Sequence, residues 1–133
     1  MRARKNEKLA VDGPAGELEV VVADPGEERT VYAIVAHPHP LYGGTLDNKV
    51  VQTLAKAFYS LGYAAVRFNF RGVGASAGVF DEGSGELEDL LAVARYAGDR
   101  FGDTRLLLAG FSFGSFIVAA ASQRRRGCRS RSG

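Results

Sequence analysis

Residues 7–12 and 17–23 alternate loosely between apolar and polar positions, and Gly13-Pro14-Ala15-Gly16 separates them. Period-two alternation broken by a Gly/Pro turn predicts a β-hairpin, and Asp24-Pro25-Gly26 ends its second strand. The pattern then changes. Residues 31–36, VYAIVA, are continuously apolar, as in a strand buried on both faces. Residues 37–47 hold prolines and a Gly-Gly pair and read as a loop. Over residues 48–61, Val50, Val51, Leu54, Ala57, Phe58 and Leu61 recur at helical spacing, and Gly62 supplies the stop. Residues 63–70 form the next apolar strand and 71–83 a Gly-rich loop. Ser84 is placed to cap a second helix with Leu87, Leu90, Leu91, Ala94 and Ala97 on its inner face. Residues 104–109 read as a third buried strand, and 115–121 start a buried helix.

A hairpin followed by strand–helix–strand–helix–strand–helix predicts an α/β fold with a parallel sheet and right-handed crossovers. Ligands of such sheets bind beyond the carboxyl ends of the strands. Three loops leave those ends: residues 37–47, residues 71–83, and the turn after residue 109. Each is rich in glycine, proline or histidine.

The third loop carries the sharpest signal. Gly110-Phe111-Ser112-Phe113-Gly114 sits between an apolar strand and an apolar helix. Strand, G-x-S-x-G, helix is the context of a nucleophile elbow. The sharp turn pushes the Ser112 hydroxyl out of the sheet, and the glycines stand where a Cβ would clash. The residue after the serine opens the helix, so the Phe113 N–H can face a developing oxyanion. The competing reading, an ordinary Gly-rich turn, does not account for the flanking strand and helix.

The first loop, His37-Pro38-His39-Pro40-Leu41-Tyr42-Gly43-Gly44, lies where elbow-bearing hydrolases place a second oxyanion donor. Proline has no N–H, so the candidates are His37, His39, Leu41 and Tyr42. His39 is the choice, two residues beyond the strand-ending His37. A rigid Pro-rich turn without a role is the bland alternative. An H-x-H metal pair lacks partners to complete a tetrahedral site, so no metal or cofactor is expected. Gly72-Val73-Gly74-Ala75-Ser76-Ala77-Gly78 imitates a dinucleotide loop, but that motif opens a helix directly. Here Asp81 and Glu82 intervene and would repel phosphate. The segment reads as a structural loop beside the site. Asp81, Glu86, Glu88 and Asp89 read as loop and first-turn acids that favour a helix N-terminus.

With 133 residues, one domain is expected. No apolar run is long enough to span a bilayer. The charged start lacks the apolar segment of a secretory signal. One cysteine, Cys128, excludes an internal disulfide framework and fits a reducing cytoplasm. The net charge of +2 misleads, because Arg124, Arg125, Arg126, Arg129 and Arg131 crowd the last ten residues. Without them twelve basic residues face fifteen acidic ones, a balance of −3. The body of the chain therefore offers no basic face for nucleic acid. Expected partners are a small-molecule substrate, with neither nucleic acid nor membrane.

Three motifs in order, HPHPLYGGTLDN at 37–48, RFNFRGVGASAG at 67–78 and GFSFG at 110–114, make the chain resemble the α/β-hydrolase superfamily. It is most similar to small lidless serine hydrolases with an HPHP loop, related to dienelactone-hydrolase-like and acyl-peptidase-like esterases. The resemblance covers about residues 16–121. It implies Ser112 as nucleophile and the N–H groups of Phe113 and His39 as the oxyanion hole, with ester or thioester substrates.

The chain also departs from that pattern. The superfamily orders its triad Ser, then Asp or Glu, then His, yet the residues after Ser112 include no acid and no histidine. The histidines are His37 and His39 alone. Asp99 and Asp103 precede the elbow strand, at the wrong end of the sheet. From residue 123 the chain turns to Arg, Gly, Cys and Ser, whose codons share a middle G. We read this as a hydrolase domain over 1–122, incomplete at its C-terminus, and a basic disordered tail over 123–133. The tail is either genuine, with an arginine run of the kind that contacts nucleic acid, or a GC-rich gene read out of frame; sequencing the downstream DNA decides. A non-catalytic fragment or pseudoenzyme that binds small acyl compounds is the alternative function. With the family's strand order, residues 104–109 form a free sheet edge, so self-association is expected.

Overall fold

The computed structural model describes residues 6–26, 29–102 and 105–132. The hairpin is β1 (Asn6–Gly13) and β2 (Gly16–Ala23), paired antiparallel with Gly13 opposite Gly16. β3 (Val31–Ala36), α1 (Lys49–Ser60), β4 (Ala64–Phe68), α2 (Ser84–Phe101), β5 (Arg105–Gly110) and α3 (Phe113–Ser132) follow. The strands form a single mixed sheet in the order β1-β2-β4-β3-β5. β2 pairs β4 antiparallel, while β3 runs parallel to both β4 and β5. The carboxyl ends of β3, β4 and β5 therefore share one edge, and the three loops meet there.

Alternation along the strands sorts the core into two faces. Leu18, Val20, Val22, Ile34, Val66 and Phe68 pack with Leu90, Val93 and Ala97 of α2 and Ile117 and Ala121 of α3. The next residues along, Ala23 and Ala65, face the other way onto Ala55, Phe58 and Tyr59 of α1. Helices thus cover both faces, as a parallel sheet requires. Asn48 caps α1, its side-chain oxygen accepting from the N–H groups of Val50 and Val51 at 2.9 and 3.2 Å.

Four expectations are corrected. The buried face of α1 centres on Val51 and Ala55, whereas Val50 and Leu61 are exposed. The one-turn periodicity was real, but the sheet meets the helix along a narrower stripe. Gly83, not Ser84, is the N-cap of α2, and Ser84 is its first helical residue. Glu86 does the capping from inside, accepting from the N–H groups of Gly83 and Asp81 at 2.8 Å each. β5 is only partly covered where a buried strand was expected, because apolar sequence reports tolerance of burial, not the presence of a neighbour; it pairs with β3 alone, as the free edge expected from the family's strand order. Finally, α3 continues to Ser132, through the stretch expected to be a disordered tail. Arginine is a good helix former, and Arg124 pairs with Glu88 of α2 at 2.6 Å. Only the start of that helix is apolar on all sides, and even there Phe116 stands exposed. Asp103 and Thr104 lie outside the described residues.

Candidate active site

Ser112 occupies the turn between β5 and α3 with φ of +60°, a left-handed backbone that an L side chain adopts at a cost of about 1–2 kcal/mol. The packing around it enforces this conformation. A Cβ on Gly110 would lie 2.5 Å from the carbonyl of Gly114, and one on Gly114 would collide with the carbonyl of Ala36. Both glycines are therefore required for α3 to start directly against the ends of β5 and β3. The Ser112 carbonyl accepts from the N–H groups of Ser115 and Phe116 at 2.9 and 3.3 Å, closing the first turn. The serine side chain is left exposed at the carboxyl edge of the sheet. Phe113 is the first residue of α3, so its N–H has no carbonyl one turn earlier to bond.

His37 and His39 have different fates. His37 is fully buried at the end of β3. Its Nε2 accepts from the Phe70 N–H at 3.1 Å, so the ring proton sits on Nδ1, which donates to the Pro38 carbonyl at 2.6 Å. Burial lowers its pKa to about 4, with the Pro38 carbonyl acting weakly in the opposite direction. His37 is a neutral tie between the first two loops. With both ring nitrogens engaged, it is no partner for a metal pair with His39. His39 caps the 3-10 turn Pro40–Tyr42, its Nδ1 accepting from the Leu41 N–H at 3.1 Å. Its ring lies 4.9 Å from those of both Phe80 and Phe113. Those two rings are 5.9 Å apart, so residues from all three loops meet in one aromatic cluster beside Ser112.

The loop after β4 is anchored by groups that the sequence reading passed over. Asp89 of α2, fully buried, accepts from Nε of Arg71 at 3.1 Å, from its Nη2 at 2.9 Å and from its backbone N–H at 3.0 Å. Arg71 Nη2 also donates to the Gly85 carbonyl at 2.9 Å. The Asp89 carboxylate holds the guanidinium still more firmly protonated than usual. A second network joins Asn69, Ser76 and Glu19: Ser76 donates to the Asn69 carbonyl at 2.7 Å and accepts from the Glu19 N–H at 2.8 Å. Glu86 and Asp89 read from sequence as acids that merely favour a helix N-terminus, yet both are fully buried. The available signal was register: Glu86 lies in line with Leu90, Val93 and Ala97 at helical spacing.

Among the described residues no helix is long and apolar enough to cross a membrane. Residues 39–130 match the α/β-hydrolase fold family. An uncharacterized protein of Rickettsia prowazekii is 40% identical over 119 residues, which make up 89% of this chain and 50% of that protein. An α/β serine hydrolase homologue from Coxiella burnetii superposes with a TM-score of 0.85 at 50% identity, over 92% of this chain and 59% of its own. A lidless α/β serine hydrolase from Xanthomonas campestris gives 0.85 at 44% identity, over 93% and 58%. The chain thus spans between half and three-fifths of the length of these relatives.

Proposed function

The chain belongs to the α/β-hydrolase fold family, and from that premise we propose that it carries the nucleophile and oxyanion-binding part of a serine hydrolase for carboxylic esters or thioesters. The observation that carries this reading is the left-handed Ser112 held between Gly110 and Gly114 at the start of α3. In it, the turn is a nucleophile elbow. Ser112 Oγ attacks the acyl carbon, and the carbonyl oxygen becomes an oxyanion. The N–H of Phe113, at a helix N-terminus, and the N–H of His39 from the facing loop stabilise that charge. The alcohol or thiol then leaves, and water releases the acyl group.

The proton of Ser112 needs a base. Both ring nitrogens of His37 are committed, and His39 has Nδ1 turned onto the Leu41 N–H. When neutral with Nδ1 accepting, His39 carries its proton on Nε2 and has no basic nitrogen to offer there. We therefore read the 133-residue polypeptide as a weak catalyst at best, since a serine without a base keeps an ordinary hydroxyl. The same histidine geometry favours, as second reading, a chain that binds small acyl compounds without turnover.

A fluorophosphonate probe tests the assignment. In a form extended to the length of the relatives, labelling should fall on Ser112 and vanish in Ser112→Ala. In the 133-residue form labelling should be slow. Labelling that survives Ser112→Ala overturns the nucleophile. Turnover within tenfold of the extended form shows that a base exists within this sequence.

A further inference from the structure

The loops after β3 and β4 enclose a cleft of about 390 Å³ between Pro40, Leu41, Gly43, Val73, Val79 and Phe80. This is the lower end of the range for small-ligand pockets. Resting on the proposed reading of Ser112, we propose that this cleft receives the uncharged hydrocarbon tail of the ester substrate.

The lining chemistry selects that ligand class. Apart from Thr45 and Arg71, the walls are aliphatic or aromatic side chains and bare glycine backbone. Arg71 is the charged side chain on the lining, and its guanidinium is already spent on Asp89 and the Gly85 carbonyl. A carboxylate on the tail would lose its hydration and find a cation that is already neutralised. Two apolar side chains from different loops, Leu41 and Val79, stand on the rim 67% and 78% exposed. A hydrocarbon lying between them removes apolar surface of protein and ligand together from water. Gly43 leaves room on the same wall: with φ of +81°, a Cβ there would meet nothing within 4 Å.

Position ties the cleft to the chemistry. Phe80 forms one wall and also packs 4.9 Å from His39 and 5.9 Å from Phe113, the neighbour of Ser112. A tail lying in the cleft therefore leads, past a single aromatic ring, to the residues assigned to the acyl carbonyl.

The test uses the 133-residue chain as Ser112→Ala with Leu107→Lys, so that no ester is consumed and the edge strand does not pair, titrated with methyl butanoate, methyl hexanoate and the sodium salt of monomethyl adipate, whose carboxylate sits at the end of the tail, while amide shifts are followed by NMR. Methyl hexanoate should bind on the order of tenfold more tightly than methyl butanoate, from two added methylenes. Its shifts should centre on Gly43, Val73, Val79 and Phe80, and monomethyl adipate, with its carboxylate at the tail end, should gain none of this. Val79→Asp and Leu41→Asp, both at exposed positions where the fold is not at stake, should each weaken methyl hexanoate tenfold or more. Affinity independent of tail length, shifts centred elsewhere, or binding unchanged in both variants overturns the cleft assignment. The two readings fail separately. Lost Ser112 labelling with tail-length dependence intact removes the nucleophile and keeps the cleft; the reverse removes only the cleft.

Discussion

At the scale of residues, position in the sheet matters more than residue type. Two histidines two residues apart differ completely: His37 is locked neutral in the interior, and His39 caps a short turn among aromatic rings. Because burial holds the His37 pKa near 4, against about 6.5 in an unfolded chain, the folded state binds fewer protons between those values. Stability linked to His37 is therefore complete above pH 6.5 and is lost as the pH falls through 4. The difference corresponds to about 3 kcal/mol. Urea unfolding of the wild type and of His37→Gln at pH 7 and pH 4 checks this. The wild type should lose more stability on acidification than the variant, by about that amount. Equal losses would show that His37 is not the buried titrating group.

At the scale of elements, the loops are held to the helices by buried ionic groups. The Arg71–Asp89 pair fastens the loop after β4 to the side of α2. Asp89→Asn removes the countercharge of the half-buried Arg71 guanidinium and leaves it the Gly85 carbonyl, which costs about 1.5–3 kcal/mol. Replacing both partners by apolar residues, Arg71→Met with Asp89→Leu, should recover a large part of that loss, because a buried pair often contributes little over a hydrophobic contact. Denaturant unfolding of Arg71→Met, of Asp89→Leu and of the double variant tests the coupling. Additive losses would mean that the pair does not act as a unit. The loosened loop should also blur the cleft wall at Val73 and Phe80, so Asp89→Asn should weaken methyl hexanoate as well.

At the scale of the whole molecule, the sheet is open and has two edges. β1 ends it at the hairpin, and β5 ends it with the run Arg105-Leu106-Leu107-Leu108-Ala109-Gly110, in which Arg105 is the sole charge. Leu107 is 39% exposed, and Phe111 and Phe116 extend the apolar surface towards α3. An edge strand with a single charge at its start is a template for pairing between molecules, and exposed apolar side chains beside it reinforce this. The 133-residue chain should therefore self-associate at high micromolar concentration, as sedimentation velocity would register. Leu107→Lys should shift it towards monomer. A wild type that stays monodisperse and monomeric at that concentration contradicts the exposed edge.

Much of this was legible along the chain. The hairpin, the alternating strands and helices, and the strand–turn–helix around Ser112 follow from local rules, namely period-two and period-3.6 patterning and glycine at turns too tight for a Cβ. Those rules depend on residues within one turn or one strand of each other, so the sequence suffices. The order β1-β2-β4-β3-β5, the stripe on which α1 is buried and the exposure of β5 needed the folded chain, since each is set by neighbours distant in sequence. The same holds for the acids: Glu86 and Asp89 look like acids that merely favour a helix N-terminus until Arg71, from another loop, and the N–H groups of Asp81 and Gly83 close around them. Burial of a charge is decided by its partner, and a local pattern does not contain the partner. For Ser112, local sequence determined the turn; tertiary packing against Ala36 decided that the turn is left-handed, rigid and open to the loops that face it.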